Sequence, residues 1–530
     1  MSKATVSDSV STVDDVAQPP KLSQRYADES YKLFSKVSVA DPTPEEAIKI
    51  RNKWYHIMYV DKQTLGNSAI LGIMDDAHLN STQYNWLSSI FYFGYLLAEW
   101  PQNWALQRFP VAKWLAGNLV VCFATLFVVR FFLGVAEASI VPAFLLILSM
   151  FFTYQEQAVL MPIMWSIGNA SPITSGLLSY GVLWIKTGTF APWKWFMVIT
   201  GGVTVLFGLA VWLFFPDNPL RASFLTPEER AQAILRIKDN HSGIEQKHFK
   251  KYQYDTITTF TFTHIRFIEA VKDPKSWLFF LHAWSQEMAN GMTNQYSLII
   301  NSFGFTVLQT TLLGCVTGIV SFFSLASAAV VLAKTTNCRA WISLIAYIPG
   351  AISSILLLSL PWSNRWGLIT GIWIRSTVGI PYAVVMIWAA NASAGHTKKT
   401  TVIAMYHIGY GLGNILSPQL FQPRWKPRYR PTWIILLVVA CILPSLVIVY
   451  LRWYLSKENK RRDLLQSETL VTDTGVVEEV DNDGTKHARL VDKNQLDLTD
   501  RENLSLYHLF LKTIRISLFV PEVSYDIYLA

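Results

Sequence analysis

Apolar blocks of about twenty residues, parted by short polar joints, recur from Trp54 to Leu455, and this alternation constrains the fold more than any other feature. About twenty residues at 1.5 Å each is what a helix needs to cross a hydrocarbon layer of ~30 Å. Windows of that kind fall at 54–74, 84–106, 111–122, 123–152, 157–185, 193–215, 276–301, 306–333, 340–360, 366–391, 400–421 and 431–455. In lipid the backbone must satisfy its own polar groups, so the expected fold class is an all-α polytopic membrane protein. Composition agrees: 15% of residues are charged and the mean hydropathy is +0.28, against about 25% charged in a soluble domain.

Several function classes drop out. The net charge of +8 resides in joints beside spans, as the positive-inside rule expects, and does not point to nucleic acid. Cys122, Cys315, Cys338 and Cys441 are scattered, without metal-ligand spacing or a disulfide framework. No G-x-x-x-x-G-K-[ST] loop occurs, which disfavours direct ATP drive. No cofactor or metal is expected. Isolated histidines do not make an enzyme site, so the chain is not read as an enzyme.

The expected organisation is a disordered cytoplasmic tail (1–50), a six-helix bundle (54–215), a charged cytoplasmic loop (216–275), a second six-helix bundle (276–455) and a cytoplasmic tail (456–530). The loop holds Thr226-Pro-Glu-Glu229, a capping box that starts a surface helix. The tail from about 463 to 505 reads as polar and disordered, and the apolar stretch near 506–520 as too short to span. An internal echo supports a two-fold repeat: Arg108 and Lys113 follow the second span, and Lys334 and Arg339 follow the eighth. Basic joints at 107–113, 216–275, 334–339, 396–399 and 452–462 put both termini in the cytoplasm. The joint 422–430, with Arg424, Lys426, Arg428 and Arg430, disagrees and is outvoted. Asn80-Ser-Thr82 is a glycosylation sequon on the opposite side.

Charges inside spans carry the functional reading. Arg130 and Glu137 are seven residues apart, two helical turns, and so share one face of the fourth span. Each costs roughly 2.5–3.5 kcal/mol at the membrane centre unless it faces protein or water. They either handle a charged solute or pair to hold the bundle together. Gln286, Glu287, Asn290 and Asn294 recur on one face of the seventh span, as lining for a cavity. Arg375 is a second candidate anion anchor, against simple packing with a carbonyl, and His407 a candidate titrating group, against a hydrogen-bonded bundle histidine. Glu99, near a span end, reads as a structural partner of Arg108 or water, against a functional acid. Glycines at 168, 176 and 181, and at 409, 411 and 413, permit close helix approach.

Extended text strengthens this: DKQTLGNSAI (61–70), YNWLSSIFYFGYLLAEWPQNWALQRF (84–109), RFFLGVAEASIVPAFLLI (130–147), FFPDNP with FLTPEER (214–230), GHTKKTT (395–401) and IGYGLGNILSPQLF (408–421). From about 54 to 462 the chain resembles the fungal allantoate permease group, in the anion:cation symporter branch of the major facilitator superfamily. The resemblance implies two six-helix halves and an acid and base side by side in the first span, here Asp61 and Lys62. Lysine departs from the arginine frequent at that place, exchanging a bidentate fork for a point charge. Arg130 and Glu137 match the fourth-span pair that the resemblance implies.

The expected function is proton-coupled symport of a small organic anion, of the allantoate, ureidosuccinate, vitamin carboxylate or short peptide class. Arg130, Lys62, Arg375, Gln286, Asn290 and Asn294 would bind substrate, and Asp61, Glu137, Glu287 and His407 would couple protons. The expected partners are that anion, protons and the lipid bilayer of the plasma membrane, with the protein monomeric. A nutrient-sensing receptor without net transport is the alternative. The first span is thin before Asp61, and the third, Val111 to Cys122, reaches only about 18 Å. Both read as lost sequence, and a helix that cannot cross would leave a truncated, inactive carrier.

Overall fold

The computed structural model describes residues 64–109, 114, 126–139, 143, 165–185, 190–214, 267–335, 338–393, 396–468, 474–480 and 486–492. Asp61, Lys62 and nearly all of the third span therefore lie outside the described residues, as does the central loop up to residue 266. The described part of the first half comprises α1 (Thr64–Ile70), α2 (Ile73–Asp76), α3 (Ser81–Arg108), α4 (Leu126–Glu137), α5 (Ser171–Val182) and α6 (Pro192–Phe214). The second half comprises α7 (Pro274–Glu287), α8 (Gly291–Ser302), α9 (Val307–Lys334), α10 (Arg339–Ser359), α11 (Arg365–Arg375), α12 (Gly379–Asn391), α13 (His396–Leu416), α14 (Arg430–Leu437) and α15 (Leu443–Glu468).

The solvent of this fold is legible from what its helices hide. In α10 the buried face is Ser343, Ala346, Tyr347, Gly350, Ser353 and Ser354, while Trp341, Ile345, Ile348, Ile352 and Ile355 point outward. Apolar residues outside and small or polar ones inside invert the pattern of a water-soluble helix, and suit a bundle whose surround is hydrocarbon. Among the described residues, five stretches are long and apolar enough to cross a membrane: Pro192–Ala210, Val307–Leu332, Arg339–Ser359, Arg365–Asn391 and Arg430–Arg462.

The repeat is visible in helix construction. α3 and α9 are each 28 residues long, and each opens on a full capping box, Asn80 with Gln83 and Thr306 with Gln309. In the first, Asn80 Oδ1 accepts from Gln83 N at 2.8 Å and Gln83 Oε1 accepts from Asn80 N at 2.9 Å. A cap of this kind is worth about 1 kcal/mol. The sequon asparagine is thus engaged as a helix cap.

Three expectations need correction. The seventh span is not one helix: it breaks at Met288–Asn290, between α7 and α8. The tenth is likewise divided, by a 3-10 turn at Ser376–Val378. The tail is not wholly irregular either, because β1 (Thr474–Val480) and β2 (Lys486–Asp492) pair antiparallel as a hairpin, with Val477 opposite Arg489. The last span, through α14, a π turn at Val438–Ile442 and α15, continues as helix to Glu468. There Glu458 accepts from both Arg461 and Arg462.

Among the described residues the halves meet along three seams: α1 with α8, α3 with α13, and α5 with α9. At one end of the molecule the seams are polar. Asn67 Oδ1 accepts from Tyr296 and Ser297 hydroxyls at 3.0 and 2.9 Å, while its amide donates to Ser175 at 3.1 Å. Gln295 donates to Asn85 Oδ1 at 2.7 Å, and Asn85 donates to the Phe421 carbonyl at 3.0 Å. These bonds close that end between the halves.

Candidate functional site

A cavity of about 290 Å³ lies between the halves. Seven of the ten residues singled out from sequence line it: Arg130, Glu137, Gln286, Glu287, Asn290, Asn294 and Arg375. His407 does not, and Asp61 and Lys62 lie outside the described residues.

Arg130 and Glu137 reach the cavity because α4 is seated closely on α3. A Cβ on Gly134 would stand 1.9 Å from the Phe91 carbonyl oxygen, so only glycine permits this approach. The seating turns the face that carries Arg130, Leu133 and Glu137 toward the cavity, and Arg130 is 8% exposed.

The break in the seventh span supplies the opposite wall. Around it the backbone tightens to i→i−3 bonds, from Ala289 N to Gln286 O at 3.1 Å and from Asn290 N to Glu287 O at 3.0 Å. Gly291 then starts α8 hard against the Ser417 carbonyl, 2.4 Å from where a Cβ would be. The freed side chains form a network. Asn414 donates to Glu287 Oε2 at 2.9 Å, and its own oxygen accepts from Asn290 Nδ2. Asn290 also donates to the Tyr92 hydroxyl across the halves at 3.1 Å and accepts from Thr293 at 2.6 Å. Tyr84 donates to the Asn294 carbonyl at 2.8 Å.

Arg375 ends α11 at the 3-10 turn, 5% exposed. Its Nη1 donates to Ser354 Oγ at 3.0 Å, and its Nη2 has no hydrogen-bond partner among the described residues. Gln286 ties the two broken spans together by donating to the Val378 carbonyl, and accepts from the Tyr347 hydroxyl. Irregular backbone at membrane depth persists where it lines a cavity, and broken helices mark the binding region in several transporter folds.

His407 sits elsewhere on the α3–α13 seam. Its Nδ1 lies 3.6 Å from Glu99 Oε1, so Glu99 meets a histidine of the opposite half. Sequence reasoning missed His282, Tyr347, Ser354, Asn414 and Tyr92. Four of these are uncharged, and none stands out by spacing. Asn414 lay inside the IGYGLGNILSPQLF text without being singled out. Among the described residues no group of three or more His, Cys, Asp or Glu side chains could hold a metal.

Among the described residues the cavity therefore presents two arginines and two glutamates, one of each from either half. Such a wall can hold a small ionised solute and exchange its partners as the solute enters.

The comparisons agree with this architecture. Residues 55–418 match the model of the Major Facilitator Superfamily. The chain is 34% identical over 519 residues to an uncharacterized transporter of Schizosaccharomyces pombe, covering 92% of this chain and 89% of that one. It is 30% identical over 541 residues to the high affinity cysteine transporter of Saccharomyces cerevisiae, covering 95% and 99%. It is 28% identical over 518 residues to the allantoate permease of the same yeast, covering 90% and 89%. These relatives do not single out the allantoate permease group. Among solved structures, the proton:xylose symporter XylE superposes with a TM-score of 0.55 at 11% identity, over 77% of this chain and 96% of that one, a likeness of fold. With two bundles meeting at a charged cavity and this match across most of its length, the chain belongs to the Major Facilitator Superfamily of membrane transporters.

Proposed function

We propose that the protein is a proton-coupled symporter that carries a small carboxylate-bearing solute across the plasma membrane by alternating access, as a monomer with both termini cytoplasmic. The observation that carries this reading is the shared cavity, with Arg130 and Glu137 from one half and Glu287 and Arg375 from the other. A carboxylate in a low-dielectric chamber needs fixed positive charge, which a guanidinium supplies through two parallel hydrogen bonds. Return of the empty carrier needs those cations balanced, which ionised Glu137 and Glu287 do. Protons on the acids release the cations to substrate. Asp61 and Lys62 add a second acid and base from the first span, and His407 with Glu99 a titratable pair on the seam.

Size narrows the substrate. A cavity of about 290 Å³ is at the lower limit for small-molecule sites, roughly 300–1,000 Å³. That suits a ureido acid or an amino acid better than a long peptide. The balanced set of charges favours a second substrate, a zwitterion, whose ammonium would meet Glu137 or Glu287. The relative named as a cysteine transporter supports that choice. A monoanion moving with two protons carries one net charge inward, worth about 2.3 kcal/mol per 100 mV, or roughly fortyfold accumulation.

The test is uptake of labelled allantoate, ureidosuccinate and cysteine by cells expressing the chain, with and without a protonophore. Accumulation that collapses with the protonophore is expected for at least one of them. Accumulation that ignores it removes the symport mechanism, and binding without uptake returns the protein to the receptor class.

A further inference from the structure

A hydrogen-bonded chain runs from the cavity wall into the second half: the Val378 carbonyl, Gln286, Tyr347 and His282. Its direction is fixed at one end. A backbone carbonyl only accepts, so the atom of Gln286 facing Val378 is the amide nitrogen, and the atom facing Tyr347 is the amide oxygen. The Tyr347 hydroxyl must then donate its one proton to Gln286. What remains on that oxygen is acceptor capacity, so His282 Nε2, at 3.1 Å, carries a hydrogen and donates. In the neutral ring His282 Nδ1 is then the nitrogen without a hydrogen, and it has no hydrogen-bond partner among the described residues. His282 and Tyr347 are 0% and 2% exposed, and the imidazole lies nearly parallel to the Tyr406 ring, 6.3 Å between centroids. Neither residue lines the cavity.

The consequence appears at the cavity wall. Gln286 turns its oxygen to Tyr347, which does not line the cavity, and commits one N–H to Val378, so the group left to face a solute is its second N–H, a donor. Val378 ends the 3-10 turn that begins beside Arg375, so this amide is fastened one turn from a guanidinium that also holds an unused donor, Nη2. We propose that Gln286 and Arg375 form a donor-only subsite for the substrate carboxylate on the second half, and that Tyr347 and His282 are its positioning residues. Their task is to keep the Gln286 amide from turning its oxygen toward an anion. Without Tyr347 the Val378 carbonyl alone opposes rotation of the amide, one of its two restraints is lost, and the site loses part of its preference for a carboxylate over a neutral isostere. This deepens the proposed function and rests on its assignment of a carboxylate-bearing substrate.

Two measurements test it. In full-length protein labelled with ¹⁵N-histidine and reconstituted in lipid nanodiscs, the His282 signals are assigned by difference from His282→Gln. The neutral Nε2–H tautomer is expected, and a protonated Nδ1 overturns the proposal whatever the substrate is. In transport, labelled allantoate and cysteine compete with their carboxamide analogues. Tyr347→Phe is expected to raise KM for the carboxylate several-fold, leave Vmax per transporter unchanged and narrow the carboxylate-to-carboxamide preference by a similar factor. Gln286→Glu, which replaces the donor by an acceptor, is expected to reverse that preference. An unchanged preference in Tyr347→Phe with reduced Vmax assigns the tyrosine to packing and defeats the proposal. Should the wild type carry neither probe, the substrate reading fails while the tautomer measurement still decides the positioning claim. If Tyr347→Phe does not reach the membrane, that measurement again decides.

Discussion

Asn414 donates to Glu287 Oε2 at 2.9 Å and so fastens a cavity carboxylate of α7 to α13. The same side chain accepts from Asn290, which in turn donates to Tyr92 of the first half. Replacing Asn414 by leucine removes a charge-assisted bond, for which about 1.5–3 kcal/mol is typical. The expected outcome is a lower melting temperature in detergent and transport slowed about tenfold or more. A variant with wild-type melting and uptake would show that the link is dispensable.

Lys398 is buried between Glu269 and Asp273, with Nζ at 2.7 and 2.9 Å from their oxygens, where the bases of α7 and α13 meet. Lys275 stands 3.6 Å from Asp273 and donates to the Ala392 carbonyl. Lys398→Met takes the central cation from a buried set, a change that costs about 3–5 kcal/mol in comparable pairs. Surface expression and thermal stability should both fall, and adding Glu269→Gln should restore part of the loss. Equal stability of the single and double variants would mean that water, not lysine, neutralises Glu269.

Gly176 of α5 lets the halves close at the seam with α9. A Cβ there would lie 2.6 Å from Cys315 Sγ and 2.8 Å from the Thr311 carbonyl oxygen. Gly176→Val is expected to wedge the seam, stop transport and expose Cys315, which is buried and free in this arrangement. Faster labelling of Cys315 by a membrane-impermeant thiol reagent applied outside the cell is the readout. Labelling as slow as in wild type would contradict the wedge.

Asp76, in the joint between the first and second spans, is held below the ordinary aspartate range, first by the hydrogen bond from Lys194 and then by that from Trp193. A depressed carboxyl stabilises the fold above its unfolded-state value, and that contribution is lost as pH falls through the folded value. The window therefore lies below about pH 4. Asp76→Asn should melt slightly below wild type at pH 6.5, the group being exposed and screened, and the gap should narrow as the pH is taken down through that window. A gap that widens on acidification would reverse the assigned sign.

Membrane architecture was legible in the sequence because spans must be about twenty residues long and apolar. Arg130, Glu137, Glu287 and Arg375 were legible because charge in lipid is costly and so conspicuous. The break at Met288–Asn290 was not, since no proline lies there and its cause is tertiary, Gly291 meeting Ser417; the turn at Ser376–Val378 did carry a signal, Pro381, whose ring excludes a helical bond to the carbonyl of Thr377 four residues back. Tyr347, His282 and Asn414 escaped because neutral polar groups blend into a packed span and gain meaning only from partners distant in sequence. The hairpin at 474–492 did carry a signal, Val476-Val477 followed by Asp483-Gly484, which the surrounding charge obscured.

The most direct measurement is the initial rate of labelled allantoate and cysteine uptake into proteoliposomes under an imposed pH gradient, for wild type, Arg130→Ala and Glu137→Gln at equal reconstituted protein. The account predicts uphill uptake by wild type of at least one probe and near-complete loss in Arg130→Ala. It predicts that Glu137→Gln still exchanges substrate across the membrane but no longer responds to the gradient. Gradient-driven accumulation by both variants at the wild-type rate would contradict it, leaving the pair as scaffold.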